Sequence, residues 1–204
     1  MAHGRDHKHG HGHHGGHTHG HDKPSVAGSS GGTPSHGESP ARAHRSDAPT
    51  HVACFILTAS DSRAQADDVS GRALREGLEA AGHSVVGQTV VRDEPEQIRA
   101  AVEQGLAGGA RAVLITGGTG ITGRDQTVEA MRPLLEKEIP GFGELFRMLS
   151  FQEIGSAAWL SRALAGTVRG ALVFVLPGSP NAVRLALDRL ILPELGHAVR
   201  ELSR

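Results

Sequence analysis

The stretch Ala112-Val-Leu-Ile-Thr-Gly-Gly-Thr-Gly-Ile-Thr-Gly-Arg-Asp-Gln-Thr127 decides the fold. It starts with a short apolar run, continues into a loop that holds four glycines, and reaches a helical pattern at Thr127. Such an apolar run is typical of a strand buried on both faces of a parallel sheet. Because a helix follows the loop, the stretch indicates an α/β domain whose backbone N–H groups can bind an anion.

Strand-like and helix-like segments alternate on both sides of this stretch. Apolar or β-branched runs predict strands at 52–58, 84–91, 112–116 and 171–176. Helical spacing predicts helices at 70–81, 95–107, 127–135, 143–165 with a break near Gly155, and 181–200. This order predicts a three-layer α/β/α fold with a mostly parallel central sheet. In such sheets ligands bind beyond the carboxyl ends of the strands, so we expect the site there.

The composition divides the chain near residue 50. Residues 1–50 hold 11 of the 14 histidines but only seven apolar residues, so they cannot bury enough surface to offset the entropy of ordering. We therefore predict a disordered His/Gly-rich tail at 1–50. Residues 51–204 hold every Phe and the single Trp, and their number suits one domain.

Several classes of protein are excluded by composition. No apolar run approaches the ~18 residues that cross a bilayer, and the N-terminus lacks the apolar core of a signal peptide. A single cysteine, Cys54, is expected in the core and fits a cytoplasmic protein. Residues 51–204 carry sixteen Lys and Arg against eighteen Asp and Glu, so no nucleic-acid partner is expected.

The tail is a candidate metal-binding segment. Neutral imidazoles on a flexible chain suit zinc, nickel or copper. The alternatives are an added purification tag, which the irregular spacing disfavours, or a neutral linker. The candidate ligands are His7, His9, His11, His13, His14, His17, His19 and His21.

The glycine-rich loop matches two generic phosphate-binding patterns only in part. Gly118, Gly120 and Gly123 have the spacing of the dinucleotide fingerprint, but no strand ending in an acid follows about 20 residues later. As a P-loop, the segment has Arg124 and Asp125 where Lys and Ser or Thr are expected, so it lacks the magnesium-binding hydroxyl. A glycine-rich turn without a ligand is the alternative, and the threonine hydroxyls of the loop disfavour it.

Two acids follow strands at the predicted sheet edge. Asp125 comes directly after the glycine-rich loop, where a carboxylate would repel a phosphate unless a cation such as Mg²⁺ bridged them. The alternative is that Asp125 caps the helix that starts near Gln126. Asp93 follows the second strand, and helix capping is the alternative there too because Pro95 comes next.

Other loops at this edge add polar groups. Ser179 lies at a helix start, as a cap or as a ligand donor. The candidate substrate-binding residues are Ser60, Asp61, Arg63, Thr116, Gly117, Gly118, Thr119, Gly120, Thr122, Arg124, Pro177, Gly178 and Ser179. Together these loops predict a phosphate-handling cleft.

Four motifs carry a resemblance to a known family. They are Thr-Gly-Gly-Thr-Gly at 116–120, Gly-Arg-Asp-Gln at 123–126, Pro-Gly-Phe-Gly-Glu-Leu-Phe-Arg-Met-Leu-Ser at 140–150, and Leu-Pro-Gly-Ser-Pro at 176–180. In this order they resemble the MoaB/MogA family of molybdenum cofactor biosynthesis. The resemblance covers about residues 51–200, and 142–154 is more similar to the MoaB branch than to the MogA branch.

The resemblance implies an enzyme, molybdopterin adenylyltransferase, that joins AMP from ATP to the terminal phosphate of molybdopterin and releases pyrophosphate. It implies catalysis by two aspartates, which match Asp93 and Asp125 here, with Mg²⁺ as the expected ion. Some members of the MoaB branch carry another residue at the first position, so the presence of both acids favours an active enzyme. A trimer or a hexamer is implied as well, with other cofactor biosynthesis proteins as further partners.

Two other functions stay open. The chain could bind molybdopterin without turnover, as a scaffold protein of the MoaB branch. It could also buffer metal through the tail, with the folded domain as an assembly platform.

Overall fold

The computed structural model describes residues 49–61 and 67–204. The predicted tail, apart from residues 49 and 50, lies outside the described residues, and so does Arg63. The strands are β1 (Ala53–Ala59), β2 (Ser84–Val91), β3 (Ala112–Thr116), β4 (Lys137–Glu138), β5 (Leu164–Val168) and β6 (Ala171–Leu176). The α-helices are α1 (Val69–Ala80), α2 (Pro95–Ala107), α3 (Thr127–Met131), α4 (Pro140–Ile154), α5 (Pro180–Ala186) and α6 (Leu195–Glu201).

The six strands form one sheet in the order β2-β1-β3-β6-β5-β4. The four strands β2, β1, β3 and β6 are parallel, β5 is antiparallel to β6, and β4 is antiparallel to β5. The carboxyl ends of four strands therefore meet at one edge. The prediction of a mostly parallel sheet is confirmed.

Helices cover both faces of the sheet. Successive side chains of a strand point to opposite faces, so each central strand contributes to two apolar clusters. On one face Ile56 and Leu114 pack with residues of α1, α4, α5 and α6 in a single apolar cluster. On the other face Leu57 and Ile115 pack with residues of α2 and α3. Cys54 belongs to the first cluster and is fully buried, as predicted.

Two predicted helices are wrong in extent. The helix predicted at 143–165 ends at Ile154, continues as a 3₁₀ segment at Gly155–Leu160, and gives way to β5. The single helix predicted at 181–200 divides into α5, a π-helical segment at Leu187–Ile191, and α6. Pro193 lies in the second break, and its ring removes a backbone donor from the helix.

No helix in the described part of the chain is long and apolar enough to cross a membrane. This agrees with the absence of long apolar runs in the sequence.

Candidate functional site

Loops from four parallel strands meet at the carboxyl edge of the sheet and are joined by hydrogen bonds. The N–H of Gly117, after β3, donates to the carbonyl of Leu176, at the end of β6, over 3.1 Å. The hydroxyl of Thr116 donates to the carbonyl of Pro177 over 3.0 Å. After β1, the N–H of Ser60 donates to the carbonyl of Val91, at the end of β2, over 2.9 Å. These bonds join the loop after β3 to the loop after β6, and the loop after β1 to the end of β2.

Two glycines let these loops approach each other. Gly117 has φ +98° and Gly118 has φ +62°, which are left-handed conformations that side chains rarely adopt. A Cβ on Gly117 would collide with the carbonyl oxygen of Ala59, and one on Gly118 would collide with the carboxylate of Asp93. The absence of both side chains brings Asp93 against the backbone of the glycine-rich loop.

Asp93 joins the loop after β2 to the start of α3. Its Oδ1 accepts hydrogen bonds from the N–H of Gln126, over 3.2 Å, and from the hydroxyl of Thr127, over 3.1 Å. It does not cap its own helix α2, whose N-cap is Glu94. Burial raises the pKa of Asp93 above its ordinary value, the bonds from Gln126 and Thr127 oppose that shift, and the carboxylates of Asp125 and Asp61 add to it.

The surroundings of Asp125 lower its pKa, in contrast to those of Asp93. Its Oδ2 accepts from the hydroxyl and the N–H of Thr122, over 2.6 Å and 2.9 Å. The bond from the Thr122 hydroxyl lowers the pKa of Asp125, and the Arg162 guanidinium acts in the same direction. The side chain does not cap α3, since its hydrogen bonds turn back into the glycine-rich loop. Asp125 is thus an ionised carboxylate that fixes the loop in front of it.

Arg162 holds both ends of this loop and was missed by sequence reasoning. Its guanidinium donates to the carbonyls of Thr119 and Asp125, each over 3.2 Å, and forms an ion pair with Glu129. The contacts join residues 33 to 43 positions apart in the chain, so no local pattern could have revealed them.

A buried aspartate connects β1 to α1 below the loops of the site. Asp68 is 1% exposed, accepts from the Thr58 hydroxyl over 2.6 Å, and caps α1 through the N–H of Gly71 over 2.9 Å. The hydroxyl of Ser70 donates to the carbonyl of Gly178 over 2.9 Å. This network joins β1, α1 and the loop after β6. An acid three positions before Gly71 is a helix N-cap signal that could have been recognised in the sequence.

The structure brings most of the sequence-predicted residues to this edge. Asp61 accepts from the N–H of Asp93 over 3.3 Å. Thr116 and Thr119 are buried, and Arg124 is exposed. Ser179 caps α5, since its hydroxyl accepts from the N–H of Ala182 over 3.3 Å. Their roles in binding a substrate stay predictions.

The carboxylates suit a hard divalent cation that is also bound by a phosphate. Among residues 49–61 and 67–204, no group of three or more His, Cys, Asp or Glu could hold a metal by itself. Both bonds from described residues to the Asp93 carboxylate end on Oδ1, so none of these residues donates to Oδ2. Magnesium is commonly bound by one or two carboxylates together with substrate phosphates. Asp93 and Asp125 fit that donor set.

Comparisons with known proteins agree with this geometry. A family profile described as "Probable molybdopterin binding domain" matches residues 55–197. The chain is 53% identical to molybdenum cofactor biosynthesis protein B of Bacillus anthracis over 166 residues, which covers 79% of this chain and 96% of that protein.

Solved structures give the same result. The tungsten cofactor synthesizing protein MoaB of Pyrococcus furiosus has a TM-score of 0.72 and 38% identity, covering 77% of this chain and 100% of that one. The molybdopterin biosynthesis Mog protein of Mycobacterium ulcerans has a TM-score of 0.69 and 30% identity, covering 76% of this chain and 99% of that one.

Proposed function

The chain belongs to the molybdopterin-binding domain family of the MoaB/MogA type, and from this premise we propose that it adenylylates molybdopterin. A terminal phosphate oxygen of the pterin attacks the α-phosphorus of ATP. A new P–O–P bond forms, the bond from the α-phosphorus to the bridging oxygen breaks, and pyrophosphate leaves. The attacking phosphate is already an anion at neutral pH, so no residue of the chain has to remove a proton.

The main task of the site is to hold two groups of negative charge close together. Phosphoryl-type transfer depends mostly on positioning and on electrostatic stabilisation. Backbone N–H groups of the glycine-rich loop would bind phosphate oxygens, except those of Gly117 and Gly120, which donate to the Leu176 carbonyl and to the Asp125 carboxylate. Arg162 fixes the backbone of that loop at Thr119 and Asp125, so the donors keep their directions.

Asp93 and Asp125 would hold Mg²⁺ against the phosphates, with Asp61 close by. When bound, the ion neutralises phosphate charge and stabilises the charge that develops during transfer. The backbone and hydroxyl donors keep each carboxylate in place, at Thr127 for Asp93 and at Thr122 for Asp125.

One observation carries the proposal. Two carboxylates from the loops after different strands converge beside a glycine-rich backbone whose glycines would, with a side chain, collide with them. Burial raises the pKa of Asp93, and the charges of Asp125 and Asp61 add to that shift; a bound cation would favour the ionised carboxylate, which supports the proposal.

The direct test is pyrophosphate release by the full chain with molybdopterin, ATP and MgCl₂. We expect release only when all three are present, with formation of an adenylylated pterin. Asp93→Asn and Asp125→Asn should each lower kcat by about 10²–10³, as expected for loss of one group that stabilises the transition state. Asp188→Asn, an exposed residue after α5, is the control that should keep full activity. If the wild-type chain forms no adenylylated pterin, the proposal is wrong.

Binding without turnover is the second candidate function. The same donors would retain molybdopterin or ATP even if the phosphates never reached reacting distance. Calorimetry beside the activity assay separates the two functions, because a scaffold protein gives a binding isotherm and no pyrophosphate.

We also propose that the histidine tail binds Zn²⁺, Ni²⁺ or Cu²⁺ as an accessory to this cytoplasmic enzyme. Removal of residues 1–48 should abolish tight binding of these ions by the chain while adenylylation continues at the full rate. An equal loss of both would instead make the tail part of the enzyme.

A further inference from the structure

A cavity of about 350 Å³ lies beside the glycine-rich loop. Arg162 lines it, together with Arg132, Glu138, Arg147, Trp159 and Leu164. Because β5 is antiparallel to β6, its first residue Leu164 pairs with Val175 near the carboxyl end of β6. The cavity is therefore at the same edge of the sheet as Asp93 and Asp125. We call it the Trp159 cavity.

Arg162 connects the Trp159 cavity to the loop directly. One side of its guanidinium donates to the carbonyls of Thr119 and Asp125, and the same side chain forms part of the cavity wall. A molecule in the cavity is thus separated from the phosphate-binding backbone by the width of one side chain. A substrate held by its phosphate at the loop can extend its other end into the cavity.

Trp159 presents a large aromatic face to solvent at the rim of this cavity. It is 74% exposed, more than any other large apolar side chain in the described part of the chain. It lies near the end of the 3₁₀ segment, two residues before the half-buried Ser161. Exposed indole rings offer an area for stacking with another planar ring.

The charges of the cavity wall favour an electron-rich ligand. Three arginines and two glutamates line it. Arg132 is paired with Glu138 over 3.4 Å, and Arg162 with Glu129. Arg147 has no ion pair among the described residues, and donates only to the carbonyls of Ala163 and Ser161 over 3.3 Å and 3.5 Å. Both bonds come from Nη1, so a heterocycle with carbonyl or ring-nitrogen acceptors would give this guanidinium further partners.

We propose that the Trp159 cavity binds the planar nitrogen heterocycle of a phosphorylated substrate, with the ring stacked on the indole of Trp159 and polar acceptors turned to Arg147. The volume is within the range of about 300–1,000 Å³ that small-molecule sites occupy. This inference rests on the proposed function only for the identity of the substrates, a purine nucleotide or a pterin. Both have a ring system of the required kind.

The test uses the fact that the chain contains one Trp and no Tyr, so selectively excited indole emission comes from Trp159 alone. The full chain is titrated with AMP, with 6-hydroxymethylpterin, and with ribose 5-phosphate, which has the phosphate without the ring. We expect quenching by AMP or by the pterin, and none by ribose 5-phosphate. A pterin absorbs at the wavelengths of indole emission and can quench from a distance, so a probe that quenches is assigned to the cavity only if the Trp159→Ala variant also binds it more weakly.

Calorimetry on variants then measures the stacking contribution. Trp159→Ala should weaken binding of the quenching probe about 5- to 150-fold, while Trp159→Phe, which keeps a ring, should bind nearly as the wild type does. Light scattering on Trp159→Ala shows whether the residue acts in assembly instead. Absence of quenching by both ring-bearing probes overturns the inference, and so does a change in molecular mass with unchanged probe affinity.

These outcomes are independent of the proposed adenylylation. If the probe quenches but no pyrophosphate is released, the cavity is a binding site and the proposed adenylylation is wrong. If Trp159→Ala releases pyrophosphate with unchanged KM values, the proposed reaction stands and the Trp159 cavity has no part in substrate binding.

Discussion

At the scale of single residues, the two candidate catalytic acids differ in their surroundings although they are close together. Asp125 receives several donors and the field of Arg162, which lower its pKa. Asp93 is more deeply desolvated and is also repelled by Asp125 and Asp61, which raises its pKa. When the pH falls, Asp93 is therefore the first of the two to take up a proton, and a cation would lose its second carboxylate at that point.

This difference predicts a measurable pH dependence. In the cation-free protein, the carboxyl carbon resonance of Asp93 should titrate above the ordinary pKa of Asp, and that of Asp125 below it. Asp125→Asn removes a negative charge that disfavours ionised Asp93, so the pKa of Asp93 should fall in that variant. Addition of Mg²⁺ should lower it as well. A pKa of Asp93 that stays the same in Asp125→Asn would contradict the assigned repulsion. Glu96→Gln, a change at an exposed position of α2, is the control.

At the scale of elements, strands with apolar or β-branched runs were predictable and the others were not. The strands β1, β2, β3 and β6 were all predicted within a residue or two. β1, β3 and β6 have apolar runs because they are central strands buried on both faces, whereas β2 is a half-buried edge strand that was predicted from its β-branched residues. β4 has two polar residues at the sheet edge, and β5 contains Ala165 and Gly166, so neither shows an apolar or alternating signal. The missed strand β5 begins two residues after Arg162, which explains why that residue was missed too.

The candidate site was predicted through its loops and not through its contacts. The glycines and acids of the loop were the signal that predicted the site, since four glycines after a strand indicate a backbone that approaches another group closely. The contact between Asp93 and Gly118 depends on β1, β2 and β3 being neighbours in the sheet. The order of strands is a property of the folded sheet, so the sequence did not predict this contact. For the same reason Asp93 and Asp125 each had helix capping as an alternative in the sequence, and the structure shows that neither caps its own helix.

The glycine-rich loop supplies a matched pair of glycines for a test. Gly118 has a positive φ, and a Cβ there would collide with the Asp93 carboxylate and the Thr127 hydroxyl. A Cβ on Gly123 would meet nothing within 4 Å, and its φ is not positive. We expect Gly118→Ala to lower kcat/KM for adenylylation by about 10²-fold, the cost of displacing a catalytic group by roughly 1 Å. Gly123→Ala should keep activity within about threefold, as expected for a substitution without a steric conflict.

The measurement is initial pyrophosphate release by both variants at the same Mg²⁺ concentration, with thermal unfolding to show that each is folded. Equal activities for the two variants would show that the close approach of Gly118 to Asp93 has no part in the reaction.

At the scale of the whole molecule, α4 has more apolar surface than its own chain covers. One side of the helix packs on the sheet through Phe142 and Phe146. The remaining sides expose Leu145, Met148, Phe151 and Ile154, at 48%, 53%, 61% and 61%. Large apolar side chains exposed together on one helix indicate a surface that contacts another protein. The tail is rich in Gly and His and holds few apolar residues, so its composition does not suit this surface. We therefore propose that a second copy of the chain covers the outer side of α4.

This proposal predicts a closed homo-oligomer in which α4 lies in the subunit contact. The resemblance to the MoaB/MogA family implies that the oligomer is a trimer or a hexamer. Replacing two of the exposed residues, Met148→Glu with Phe151→Glu, puts charges into that contact and should convert the assembly to monomers in light scattering at micromolar concentration. The substitutions leave the buried face of α4 intact, so the circular dichroism of the variant should match that of the wild type. Glu96→Lys on α2, in the layer across the sheet, changes charge without touching α4 and should keep the assembled mass. A wild-type chain that is monomeric, or a double variant that stays assembled, would place the subunit contact elsewhere and leave the apolar outer side of α4 unexplained by self-association.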